Sequence, residues 1–236
     1  MADTDLALHS TSTNRKVIVC AITGGLGAGK STLLDTLSKS EFPNVVVKHE
    51  PVEDFNNFDD GRFQPLDLYY SDPKKYCGFS QLHIIRKLEK CFEEMMESLP
   101  LGTEIVFTER TIFSPMMFTN AMRKCDFMSD FESVYLLNES AESIWKMINR
   151  GYPILDKIFH IDAPVDQCIK NVEKRGRSRP EVDFPQMRDL LHYLDEEYHN
   201  FMEKFEKVHG KSSVKRVAYS TPENTFKQFL AFVQSF

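Results

Sequence analysis

The chain has 236 residues, of which 42% are hydrophobic and 27% charged, with 29 Lys+Arg against 35 Asp+Glu for a net charge of −6. That length suits one domain burying roughly 70–75% of its unfolded surface without a disulfide or metal staple, and the acidic balance disfavours a protein that coats DNA or RNA. The five cysteines, Cys20, Cys77, Cys91, Cys125 and Cys168, contain no C-x-x-C pair, and no apolar run reaches the ~18–20 residues of a membrane span.

Residues 1–15 carry Asp3 and Asp5 and no apolar core, so they read as a flexible tail rather than a secretory or mitochondrial leader. A cytoplasmic or nuclear location is expected. From Lys16 onward, short β-branched runs alternate with longer helical patterns. Strands are expected at Lys16–Thr23, Val45–Glu50, Ile105–Glu109, Lys157–Asp162 and Val214–Ser220. Most are almost wholly apolar, as strands covered on both faces should be. Helices are expected at about 30–40, 65–99, 112–124, 130–149, 164–175, 184–209 and 222–235, with a polar, phenylalanine-studded loop at 53–65. This alternation predicts an α/β fold, a parallel sheet flanked by helices on both faces with right-handed crossovers, as one domain over 16–236.

The strongest chemical signal lies between the first strand and first helix: Gly24-Gly25-Leu26-Gly27-Ala28-Gly29-Lys30-Ser31, followed by Thr32. This G-x-x-x-x-G-K-S pattern in a strand–helix context is a P-loop. Its backbone N–H groups and helix N-terminus suit phosphates, Lys30 adds a cation for them, and Ser31 suits Mg²⁺. No Asn is followed by Lys, so the N-K-x-D of guanine-specific GTPases is missing, and phosphoryl transfer to a small molecule remains.

Two other expected strands end in acids, Glu50 and Glu109, the latter followed by Arg110. Ligands bind beyond the carboxyl ends of such strands. One carboxylate there can take a proton from an acceptor hydroxyl, another can hold Mg²⁺, and Arg110 can orient the first. On the 65–99 helix, Gln81 extends an apolar stripe containing Ile85 and Leu88. It reads either as a core glutamine bonded to backbone or as a reader of a heterocycle. Phe55, Phe58 and Phe63 are candidates for stacking on a base, and Tyr70 supplies a phenol. Lys170, Lys174, Arg175, Arg177 and Arg179 stand against Glu173, a local charge of +4 that suits a phosphate-clamping lid.

In this order the motifs resemble those of the deoxyribonucleoside kinases, the group with deoxycytidine, deoxyguanosine and mitochondrial-type thymidine kinases and the insect multisubstrate enzyme. The resemblance runs from Val17 to about Phe229 through the P-loop at Gly24–Thr32, E-P-V at Glu50–Val52, Tyr70 and Gln81 eleven residues apart, Glu109-Arg110-Thr111, and Arg175-Gly176-Arg177. It implies a five-stranded P-loop kinase fold with an Arg-rich lid, usually dimeric, using ATP and Mg²⁺. It further implies Glu50 as general base for the nucleoside 5′-hydroxyl with Arg110 beside it, Ser31 and Glu109 for Mg²⁺, and Arg175 and Arg177 as lid arginines. Gln81 would pair with the base, Tyr70 and Glu181 would hold the sugar 3′-hydroxyl, and the Ser220–Phe226 segment would hold adenine. Val52 and Phe55 fall within the nucleoside site, with Phe55 where many members have Trp. Leu88 and Pro115 replace the Arg–Asp pair of the deoxycytidine and deoxyguanosine enzymes, which resembles the thymidine-accepting members. The expectation is a deoxynucleoside 5′-kinase of thymidine or broad pyrimidine preference. A thymidylate-like monophosphate kinase and a non-catalytic nucleotide-binding regulator are the alternatives.

Overall fold

The computed structural model describes residues 17–40 and 42–236, so the expected tail at 1–15 and the strand residue Lys16 lie outside the described residues. Five strands, β1 Ile18–Thr23, β2 Val45–Lys48, β3 Ile105–Glu109, β4 Lys157–Asp162 and β5 Val214–Ala218, form one sheet in the order β2-β3-β1-β4-β5. Every pairing is parallel, and the helical crossovers that parallel pairing requires cover the sheet. Central β1 is the most apolar strand, and Cys20, Ala21 and Ile22 are fully buried. Edge strand β2 is only half buried along Val45–Val47, with Lys48 exposed. Covering on both faces therefore fails at that edge, where only one neighbouring strand is present.

The helices are α1 Lys30–Ser38, α2 Val52–Phe55, α3 Pro65–Ser71, α4 Pro73–Glu97, α5 Ser114–Lys124, α6 Asp130–Asn149, α7 Val165–Arg175, α8 Arg179–Val182, α9 Met187–His209 and α10 Pro222–Val233. The single helix expected over 65–99 is two. Asp72 precedes Pro73, whose ring disfavours helical backbone in the residue before it, and Asp72 adopts φ −149° and ψ 83°. Its side chain then accepts from the Lys75 N–H and caps α4. The expected loop at 53–65 is partly ordered as α2 and as a bridge between Phe58 and Phe63.

Sheet order decides what meets at the carboxyl edge. β1 delivers the P-loop at the centre. On one side, Glu109 ends β3, paired in register with Ile22, and Glu50 follows β2. On the other side, β5 delivers Tyr219 and Ser220. Residues some sixty positions apart in sequence are thereby set side by side by a register slip-proof on its buried strands.

Candidate active site

The turn between β1 and α1 is built around glycines that nothing else replaces. Gly24 has φ +144°, and a Cβ there would lie 2.7 Å from the Ile161 carbonyl oxygen. Gly27 has φ +79°, and its Cβ would lie 2.5 Å from the Cys168 carbonyl oxygen. No side chain caps the start of α1, so its first-turn N–H groups remain available to an anion. Lys30 is buried, and its Nζ donates to the carbonyl oxygens of Gly24 at 3.2 Å and Gly25 at 2.8 Å. Burial, and then the charge of Arg110, pulls the Lys30 ammonium down to about 8.

Leu26 to Leu33 line one wall of a cavity of about 1370 Å³. Opposite are Asn171, Lys174, Arg175 and Arg177, with Tyr219, Ser220, Pro222 and Thr225 at the far end. Asn171 Nδ2 donates to the Gly27 carbonyl oxygen at 2.7 Å, tying α7 to the P-loop. Gly24 and Gly25 hold Lys30 through their carbonyls instead of lining the cavity. The basic run also divides. Lys170 does not line it, and Arg179 turns away to pair with Asp183 at 2.5 Å.

A second cleft, of about 650 Å³, opens beside the first, and the two share Leu26, Glu50, Arg110 and Arg177. At this junction Arg110 Nε lies 2.5 Å from Glu50 Oε1, with the arginine 5% exposed and the glutamate 13%. Their N–H and acceptor are not aligned as a hydrogen bond, so the pairing is mainly coulombic. Burial works against the guanidinium charge, but Glu50, Tyr198 and Glu109 together outweigh it and the Arg110 pKa is raised. Arg110 has the left-handed φ of 70°. That conformation is held by its N–H to the Ile22 carbonyl at 3.2 Å and by Thr108 Oγ1 donating to its carbonyl at 2.7 Å. Phe118 lies under the guanidinium at 4.2 Å, and Nη1 reaches Tyr198 Oη at 3.5 Å. Such strain at a charged, cavity-lining residue is typical of functional sites.

The wall of the second cleft is apolar and aromatic, with Val52, Phe55, Leu88, Pro115 and Phe118 among its residues. The structure separates the phenylalanines proposed for stacking. Phe55 is buried in this wall, whereas Phe58 and Phe63 are half-exposed and pack against each other, Phe79 and His83 outside it. Gln81 lines the cleft and also bonds backbone, its Nε2 donating to the Pro115 carbonyl at 2.9 Å and Thr119 Oγ1 at 3.3 Å. Tyr70 lines it too, its phenol pushed up by burial and then by Glu181. Glu181 is 2% exposed, and its Oε1 accepts from Arg175 Nη2 at 2.7 Å. Its Oε2 is buried with no hydrogen-bond partner among the described residues. Glu181, which lines neither cavity, thus holds an arginine that lines the larger one.

Two cavities with an acid–arginine pair at their junction, one of them phosphate-ready, are the geometry of group transfer between two bound molecules. The sequence model of the deoxynucleoside kinase family matches residues 20–235. The chain belongs to that family. It is an ATP-dependent deoxynucleoside kinase, a phosphotransferase. It is similar to the deoxyguanosine kinase of Lactobacillus johnsonii, 26% identical over 191 residues, covering 80% of this chain and 78% of the relative. It is also similar to the deoxyguanosine kinase of Lactobacillus acidophilus, 24% identical over 198 residues (80% and 76%), and to that organism's deoxyadenosine kinase, 24% identical over 191 residues (78% and 80%).

In this kinase, Ser31 Oγ donates to Glu109 Oε1 at 2.9 Å, and His49 Nδ1 lies 3.8 Å from Glu109 Oε2. A hydroxyl and a carboxylate beside the P-loop are hard oxygen donors of the kind Mg²⁺ takes, so the residues fit that ion. Among the described residues no group of three or more His, Cys, Asp or Glu is placed to hold a metal. An ion here would take its remaining ligands from phosphate and water. Reasoning from sequence missed Tyr198, Phe118, Asn171, Tyr69 and Thr119. None sits in a motif, and each acquires its place only through packing. No helix among the described residues is long and apolar enough to cross a membrane.

Proposed function

We propose that this kinase transfers the γ-phosphoryl group of ATP to the 5′-hydroxyl of a deoxynucleoside, with thymidine preferred or pyrimidines broadly accepted. One observation carries the reading: the two cavities meet at Glu50 and Arg110. A nucleoside in the smaller cleft would present its hydroxyl to Glu50, which accepts the proton, while the triphosphate lies along the P-loop. Arg110 fixes the carboxylate and faces the charge that develops. Mg²⁺, held by Ser31 and Glu109, would neutralise the phosphates. Arg175 and Arg177 would close over them, and Ser220 to Thr225 would border the adenine. Val52 and Phe55 would flank the nucleoside, with Tyr70 and Glu181 at its 3′-hydroxyl.

The apolar side chains of Leu88 and Pro115 support the thymidine preference, since both line the cleft and neither brings charge to it. A homodimer is supported by α6, on which Phe131, Val134, Trp145 and Ile148 are exposed at helical spacing. Light scattering on the purified chain tests it. Five unpaired cysteines support a reducing, cytoplasmic setting. Nucleic-acid polymers have no part in the proposal. The deciding experiment is ATP turnover against thymidine, deoxycytidine, deoxyadenosine, deoxyguanosine and dTMP side by side. Thymidine is expected to be turned over fastest. Faster phosphorylation of dTMP would make the protein a monophosphate kinase, and ATP binding without transfer to any acceptor would make it a regulator.

A further inference from the structure

Two arginine–glutamate pairs in this chain differ in geometry. Arg216 meets Glu206 as a fork, Nη1 to Oε1 at 2.9 Å and Nη2 to Oε2 at 3.2 Å. That is the arrangement a planar guanidinium and a carboxylate favour. Arg110 instead approaches Glu50 with Nε. The one hydrogen bond its guanidinium makes among the described residues goes elsewhere, from Nη1 to Tyr198 Oη at 3.5 Å. Phe118 lies under the face of the group at 4.2 Å. The guanidinium is therefore held at Nε by Glu50, at Nη1 by Tyr198 and across its plane by Phe118.

Tyr198 is itself firmly placed. It lies on α9, 1% exposed, with the His160 ring centred 5.5 Å from its own. A hydrogen bond of 2.9 Å joins His160 Nδ1 to Thr23 Oγ1, so this buried neighbour is fixed to β1. The residue before Tyr198, Glu197, is clasped by α5: Asn120 Nδ2 donates to it at 3.0 Å, and Lys124 Nζ lies 2.9 Å away. Phe118 also belongs to α5, so two helices tied to each other both reach Arg110. Burial pushes the Tyr198 phenol up, and it stays neutral, accepting from Arg110 without adding an anion to the junction. Tyr198 lines neither cavity, so it acts on a bound molecule only through Arg110.

We propose that Tyr198 is a positioning residue for phosphoryl transfer: by occupying Nη1, it keeps Arg110 from forking onto Glu50. A forked pair would engage both carboxylate oxygens, and each hydrogen bond to a carboxylate makes it a weaker base. Held from α9, Arg110 neutralises Glu50 from the side and leaves a carboxylate oxygen for the hydroxyl that enters from the smaller cleft. The inference rests on reading Glu50 as the base for that hydroxyl. It adds a residue far along the chain that touches no substrate and sets how the base is presented.

The test is a double-mutant cycle read by steady-state kinetics, with ATP and whichever deoxynucleoside is turned over fastest. Tyr198→Phe keeps the ring and removes the acceptor. Its kcat is expected to fall by about tenfold to a hundredfold, while both KM values change by less than about threefold. In an Arg110→Lys background, where the ammonium cannot fork, the same substitution is expected to lower kcat by less than about threefold. A purely structural role for Tyr198 would cost the same in both backgrounds. Unchanged kcat in Tyr198→Phe, an equal loss in both backgrounds, or a KM that rises more than kcat falls overturns the inference. If Arg110→Lys is too slow to measure, the split between kcat and KM decides alone. If Tyr198→Phe does not fold, Tyr198→Met, with its adaptable apolar side chain, takes its place in the cycle. Glu50→Gln is measured beside them. Normal turnover there overturns the reading of Glu50 and this inference with it, whereas normal turnover in Tyr198→Phe beside a collapsed Glu50→Gln removes Tyr198 alone.

Discussion

The two cavities of this kinase are built by different means. The larger cavity is bordered by consecutive residues of one turn, an uncapped helix start, and cations from α7 and the turn after it. Such a turn suits phosphate whatever side chains it carries, because peptide N–H groups are the same in every residue. The smaller cleft, proposed here for the nucleoside, is made of side chains from separate helices. Gln81 and Leu88 come from α4, Pro115 and Phe118 from α5, and Tyr70 from α3. Its properties depend on how those helices pack, so it is the place where members of one family can differ. The junction belongs to both, and there the chain accepts a strained arginine backbone to bring one charge pair between them.

The sharpest way to break this division is at the junction. Glu50→Gln should lower kcat by about a hundredfold to ten-thousandfold while leaving both KM values nearly unchanged, because a general base acts in the transition state. Steady-state kinetics at saturating ATP and thymidine checks it, and unimpaired turnover would remove Glu50 from the chemistry. A smaller effect is expected where the two sides touch. Arg175→Ala removes a lid cation and the partner of Glu181, so kcat should fall by about ten- to a hundredfold, with KM rising for both substrates rather than for ATP alone.

The phosphate side also makes a pH prediction. The Lys30 pKa is lowered to about 8, chiefly by burial. Below that pH the ammonium is charged and ready for phosphate. Above it the unliganded site is neutral and must take up a proton to pair with ATP. ATP affinity should therefore fall as pH rises from 7 to 9, by at most about tenfold per unit beyond 8. Calorimetry in buffers of different ionisation enthalpy should show proton uptake on binding that grows over that range. The least effect is expected outside both cavities. Phe58→Ser, in an aromatic group that the sequence alone offers as a stacking platform, should change kcat/KM for thymidine by less than about twofold.

The alternation of apolar runs and helical patterns was enough to define a parallel α/β sheet, because strands buried on both faces and connected by helices leave that mark on any sequence. The expected β3 and β4 match the structure end to end, and the P-loop is legible because its residues are consecutive. The split between α3 and α4 was also written in the chain, in Asp72-Pro73, although the apolar stripe running past it suggested one helix.

What the sequence did not contain is which groups meet. Strand order sets Glu50 and Glu109 on one side of the P-loop and Ser220 on the other, and order is a property of the assembled sheet. Gln81 bore two readings, a core amide bonded to backbone and a reader of a base, and packing shows that it bonds the backbone while also lining the cleft, since Pro115 and Thr119 reach it from α5. Likewise the basic run from Lys170 to Arg179 was evident as charge, but the end of α7 and the turn after it decide that Arg175 and Arg177 line the larger cavity while Arg179 pairs with Asp183. Local chemistry is carried by neighbouring residues and survives in one dimension. Recognition here is carried by contacts between distant residues, whose distances exist only once the sheet and its helices have closed around them.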